Sequence, residues 1–172
     1  TGFSLGTKFE QYENLYFNPS MNIYYETLDT NTGATAALKK QEGGNFDTSF
    51  NYSLDYDLRN ATYKASSGSK TSFYQQLPVI SGNNEITNTF TQTHYKQLDK
   101  KTNMIGKASF YIRAVNSIDD SDVRISKRAK MPYNRLRGFE KDKVGPIDGD
   151  DYVGGNYVTT LNLSTNLPGL LN

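Results

Sequence analysis

The sequence has no cysteine and a single histidine. A disulfide framework and thiolate chemistry are therefore excluded, and His94, with no paired metal ligand at useful spacing, reads as a passive strand residue. No run approaches the ~20 apolar residues that a membrane-crossing helix requires, which excludes a helical membrane protein but not a β-barrel. Isoleucine, leucine and valine are scarce. The formal net charge of +1 is too small for a strongly basic nucleic-acid binder, so no nucleic-acid partner is expected. Nothing pairs two carboxylates for acid–base work, and there is no nucleophilic triad, phosphate-cradling loop or zinc spacing. Asp148, Asp150 and Asp151 lack the full spacing of a calcium loop and read as simple loop acidity. Neither an enzyme nor a cofactor or metal is expected.

What the sequence does hold is aromatic residues among polar ones, with 13 Tyr and 9 Phe in 172 residues and 35% apolar content. That mixture suits strands with one greasy and one wet face. Period-two alternation marks strands at 3–10, 21–27, 46–58, 105–116 and 157–164; 69–77 reads as a further strand, and 85–98, which alternates poorly, reads as one from its threonine content. The cleanest sets Phe46, Thr48, Phe50, Tyr52, Leu54, Tyr56 and Leu58 against Asp47, Ser49, Asn51, Ser53, Asp55 and Asp57. It is longer than the mean globular strand and covers the ~9–11 residues of a tilted transmembrane strand. Turn chemistry lies at 14–19, 81–84 and 166–169, and Pro78 closes the fourth strand. Residues 34–42 are good helix formers closed by Gly43 and Gly44, giving one short loop helix. These are seven antiparallel strands, and an odd number cannot be a complete single-chain bacterial barrel. The chain also opens without methionine, as a piece of something longer would.

Before the last strand comes a long loop, about 118–152, too charged and glycine-rich for a strand or helix and too aromatic for plain solvent exposure. Its basic stretch, Arg124, Lys127, Arg128, Lys130, Arg135 and Arg137, suits either a solvated loop or contact with lipopolysaccharide phosphates. The run Leu136-Arg137-Gly138-Phe139 resembles the loop-tip motif of the Omp85 superfamily of outer-membrane barrels, and Val144-Gly145-Pro146 with Val153-Gly154-Gly155-Asn156 resembles the stretch on the carboxyl side of that motif.

The resemblance spans essentially the whole chain and implies an all-β fold, part of a transmembrane antiparallel barrel with a long inward-folded loop. The strands would be the sixth to twelfth of about sixteen, within the range of such barrels. Residues 34–42 match a helix-bearing surface loop, and Asp55 to Asn60 with Gly68 and Ser69 match a periplasmic turn. The amino-terminal POTRA repeats and terminal strands would lie outside the chain. The implied function is that of an outer-membrane protein assembly factor, integral to the outer membrane of a Gram-negative bacterium. Its implied partners are unfolded outer-membrane protein clients, lipoprotein subunits reached through the POTRA repeats, and outer-membrane lipid. In the loop, Arg137, Gly138 and Phe139 would form the tip, supported by Val144, Gly145, Pro146, Gly154, Gly155 and Asn156. A guanidinium inside a barrel needs acceptors. Many relatives supply an acid from the following strand; the aligned residue here is Ser164, so Ser164, Asp55 and Asp57 are candidate partners of Arg137. The alternatives are a translocation pore or two-partner secretion transporter of the same superfamily, or a soluble or cell-surface β-sandwich.

Overall fold

The computed structural model describes residues 1–82, 84–119 and 121–166. The chain forms β1 (Gly2–Gly6), β2 (Phe9–Tyr12), β3 (Leu15–Leu28), α1 (Ala36–Lys39), β4 (Gly43–Asp57), β5 (Gly68–Ser81), β6 (Glu85–Asp99), β7 (Met104–Ser117), β8 (Ile147–Asp148), β9 (Asp151–Tyr152) and β10 (Tyr157–Thr165). One antiparallel sheet of eight strands runs β1-β3-β4-β5-β6-β7-β10, with β2 also on β3; β8 and β9 make a separate small hairpin. Among the described residues the only other sheet is this two-stranded hairpin, so the two large stacked sheets of the β-sandwich alternative are not what the chain forms.

The seven expected strands are present, the first as two pieces. β1 pairs with 20–24 of β3 and β2 with 15–17. Prolines account for the main corrections. Residues 14–19 are not a turn, because the chain reverses at Asn14, with φ 63°, and Pro19 already lies within β3. The Pro19 carbonyl accepts from the Thr7 amide at 3.0 Å, so its missing N–H faces the break between β1 and β2, where no ladder bond is lost. Nor does Pro78 end β5. It pairs with Ser49 while Ile80 pairs with Thr48, which leaves Val79 as the extra residue of a bulge, a place where proline is tolerated. The helix shrinks from 34–42 to Ala36–Lys39, and Gly43, expected to cap it, starts β4. The turn at 166–169 lies outside the described residues except for Asn166, as does Asn83 in the turn at 81–84.

Alternation is inverted relative to a soluble sheet, in which the apolar face is buried and the polar one solvated. On β4, Asn51 is 1% exposed, and Asp47 and Ser49 are also buried, whereas Leu54 is 38% exposed and Phe46, Phe50 and Tyr56 are exposed as well. The apolar face carries rings in contact across strands, Phe9 on Phe17, Phe17 on Tyr52, Tyr52 on Phe73 and Phe90 on Phe110. The polar face is knitted by side-chain bonds. Asn18 donates to Ser53 and Asp55 at 2.8 Å, Ser72 donates to Asp55, and the Thr93 and Ser109 hydroxyls meet at 3.2 Å.

Connections differ at the two ends of the sheet. One end carries 13–14, 58–67 and 100–103; the other carries 29–42, 82–84 and 118–156. Gly68 closes the 58–67 connection with φ +92°, and a Cβ there would overlap the Leu58 carbonyl oxygen. Gly68→Ala should therefore destabilise the fold by at least about 1–3 kcal/mol, read as a lower urea midpoint of the full-length protein. An unchanged midpoint would show that this turn is not under steric constraint.

Candidate functional site

The site is the segment 118–156, which lies across the polar face. Its first residues are pinned to the 82–84 turn: the Ile118 amide donates to the Asn84 carbonyl at 2.8 Å, and the Asn84 amide group donates to Asp119 at 3.2 Å. Hydrogen bonds from Ser117 and Ser121 hold the Asp119 carboxyl well below the usual carboxylate range. The Arg124 amide then donates to Glu85 at 2.8 Å, and the Ile125 amide to Gln41 at 2.9 Å.

The centre of this anchorage is Lys127. Its ammonium lies 3.0 Å from the Asp47 carboxylate and 4.3 Å from the centroid of the Tyr24 ring, an ion pair and a cation–π contact made by one charge. Asp47 is 4% exposed. Burial pushes Lys127 down to about 8, which still leaves it largely charged at neutral pH to meet its carboxylate.

Further along, the Arg135 guanidinium stacks 4.4 Å above the Tyr111 ring and donates to Ser109 Oγ at 3.2 Å, while Asn162 of β10 donates to the Arg135 carbonyl at 2.7 Å. Arg128 Nε donates to the Val123 carbonyl at 3.1 Å. The basic stretch is thus largely spent inside the protein, which corrects its assignment from sequence to a solvated loop or a lipopolysaccharide contact.

The returning arm contains Val144, Gly145, Pro146, Gly154, Gly155 and Asn156. Gly155 and Ala129 exchange backbone bonds of 3.0 and 2.7 Å, Val153 donates to the Pro146 carbonyl at 3.1 Å, and Val115 of β7 donates to the Asn156 carbonyl at 2.8 Å. Val144 is half-buried, and Gly145 and Gly154 turn the chain at φ 126° and 71°. Under this crossing sits a small apolar cluster of Val115, Val123 and Ala129, with Val158 against it. Asp151, in the hairpin, accepts from the Thr35 amide at 3.1 Å, so the segment also grips the helix-bearing connection.

The tip is arranged differently. Gly138 has φ +87° and no atom within 4 Å of where a Cβ would sit, so it serves a turn and not a close approach. Arg137 and Phe139 are exposed, and among the described residues Arg137 makes no hydrogen bond or ion pair. Of its candidate partners, Ser164 lines the same hollow, together with Lys107, Arg135 and Asn162. Asp55 is engaged by Asn18, Ser53 and Ser72, and Asp57 by the Arg59 guanidinium at 2.6 and 2.8 Å. Lys127 and Arg135, which carry the contacts, stand out in the sequence only as members of a basic run.

A segment clasped across the wet side of a sheet whose greasy side is bare has a counterpart among known proteins. The Omp85 superfamily domain matches residues 1–171. The chain belongs to the Omp85 superfamily. Its structure is similar to that of BamA from Haemophilus ducreyi lacking POTRA domains 1–3, with a TM-score of 0.83 at 17% sequence identity. That likeness is one of fold; it covers 99% of this chain and 37% of the length of that one. No curated protein matches the sequence. Omp85 proteins are outer-membrane β-barrels and not enzymes, and in such a wall an apolar face without cover is what lipid contact requires.

Removing one member of the clasp in this Omp85 chain should loosen it by up to about 3 kcal/mol, because the other charge stays behind in a poorly solvated place. Lys127→Met and Asp47→Asn should each raise protease cleavage within 118–156. The double variant should lose less than the sum of the two, and strict additivity would mean that the pair is not coupled.

Proposed function

We propose that this chain supplies wall and plug to an outer-membrane protein assembly factor, the barrel subunit that folds and inserts other β-barrel proteins. The observation that carries the reading is the segment 118–156 fastened across the polar face, in a sheet with the fold of BamA and with its aromatic face bare. In this reading the strands are about the sixth to twelfth of the barrel, the polar face lines a water-filled lumen, and the segment folds into it. Clients would be unfolded outer-membrane proteins, and lipoprotein subunits would bind through POTRA repeats. No covalent step is required. Insertion proceeds by templating an incoming strand on an open barrel edge, through backbone hydrogen bonds, next to a thinned bilayer. The role of this part is to keep the wall and plug rigid while the seam opens.

The hollow lined by Lys107, Arg135 and Arg137 gives the tip its chemistry. Among the described residues it gathers cations and hydroxyls and no carboxylate, and in this reading Arg137 takes an acid from elsewhere in the barrel as a bidentate partner.

The full-length protein in phospholipid vesicles should speed the folding of an unfolded β-barrel client several-fold over empty vesicles. Vesicles that pass a soluble polypeptide without promoting insertion would instead assign a transporter of the same superfamily. The lipid-facing assignment has its own test in Phe50→Arg, at the middle of β4. A cation there should cost about 2–4 kcal/mol of folded-state stability in the bilayer, seen as a lower denaturation midpoint, and a silent substitution would contradict it.

A further inference from the structure

The height of the apolar face follows the size of its side chains. In mid-sheet, Phe17, Leu54, Phe73, Phe90 and Ile112 succeed one another across neighbouring strands. Nearer the end that carries the 100–103 turn, two successive rows cross β7 on small residues. Lys96, Gly106 and Thr165 make one row, and His94, Ala108 and Leu163 the other. The result is a trough on the apolar face, lined by these side chains and Leu98. Leu98 leans into it, with its tip 3.0 Å from where a Cβ on Gly106 would lie. The next row inward crosses β7 on Phe110, whose ring packs on Phe90 at 6.4 Å.

Its mouth is cationic. Lys96 lines the trough, and Lys100 and Lys101 are exposed in the turn at the same end of the sheet. The nearby carboxylate, Asp99, is directed into its own turn, accepting from the Thr102 hydroxyl at 2.6 Å and from the Lys101 amide at 3.1 Å. The two longest connections, 29–42 and 118–156, lie at the other end of the sheet, and in outer-membrane barrels the long loops are extracellular and the short turns periplasmic, which puts this end at the periplasmic side, where the leaflet is phospholipid.

We propose that this trough is a binding site for an anionic glycerophospholipid of the periplasmic leaflet, with the headgroup phosphate on Lys96 and the upper acyl chain lying over Ala108 between Leu98 and Leu163. The site rests on the proposed function, in which the apolar face meets lipid. Gly106 lets Leu98 fold down over it, Ala108 leaves the floor low enough for a chain to lie against it, and the two leucines supply apolar walls. Lys96 joins an aliphatic stem along the trough to an ammonium at the headgroup level, the arrangement that suits an amphiphile with one negative charge.

The test uses the full-length protein in phosphatidylethanolamine nanodiscs containing a photoactivatable phosphatidylglycerol tracer, with cross-links mapped by mass spectrometry. Label should concentrate on 94–98 and 106–108. Lys96→Gln should reduce it about fivefold, as expected for one cation near an anionic surface, and Ala108→Phe should reduce it comparably by filling the trough. A photoactivatable phosphatidylcholine tracer should label the same peptides more weakly. Equal labelling by both tracers would overturn the anionic headgroup. Label spread evenly over β3 and β4, or unchanged in both variants, would overturn the site while leaving the barrel reading intact. A protein that never enters the nanodisc would sink the barrel reading and the site together.

Discussion

A sheet that turns its aromatic side outward has to satisfy its polar side from within, and here the chain uses its own segment to do so. The contact that fixes this arrangement is the Lys127 ammonium between the Asp47 carboxylate and the Tyr24 ring. Asp47 belongs to the most strictly alternating strand, Tyr24 to its neighbour, and Lys127 to the segment, so one cation ties wall to plug. Without a cation there, a carboxylate would sit under the segment with little water to solvate it, which is why the pair needs its excellent geometry to be worth keeping. The Arg124 amide on Glu85, the Ile125 amide on Gln41 and the Thr35 amide on Asp151 extend the same anchorage to the other connections at that end.

The division of labour inside the segment follows from these contacts. The base is held by charge and the returning arm by backbone bonds to Ala129 and Val115, while the middle hangs on Arg135, stacked on Tyr111 and bonded to Ser109. The tip at Arg137 to Phe139 is left exposed. A segment built this way keeps its position without help from its tip, so the tip is free to engage a partner outside these strands. That separation suits a plug that stays seated while another part of a barrel changes shape.

Strand pattern was readable from the residues because a two-faced strand writes its faces in alternate positions. The row from Phe46 to Leu58 therefore appears in the fold with its two faces as expected. Even the threonine run of β6 sorted correctly, with Thr87 buried and Thr93 bonded to Ser109. Prolines misled because their local meaning depends on neighbours: Pro19 and Pro78 look like stops, yet each sits where the adjoining strand demands no N–H. The helix is shorter than its residues' propensities suggest because the Gln41 and Glu42 amides bond three residues back, to Leu38 and Lys39, in a tightened last turn, while their side chains accept from Ile125 and Thr30. The clasp itself could not be read. Lys127 and Asp47 are far apart in sequence, and nothing local sets Lys127 apart from Lys130 or Arg128. Arg137 drew attention through a motif, whereas Arg135, two residues before it in the chain, makes the contacts.

The central claim is that the two faces of this sheet meet different solvents, lipid on the aromatic side and enclosed water on the other. Single spin labels along β4 in the full-length protein, reconstituted in a bilayer, test it most directly. Collisions with oxygen, which concentrates in lipid, are compared at each site with collisions with a water-soluble nickel chelate. Oxygen should dominate at positions 50, 54 and 56 and the balance should reverse at 49, 53 and 55, alternating residue by residue. A profile without alternation, or one with the polar positions on the oxygen-rich side, would contradict the claim.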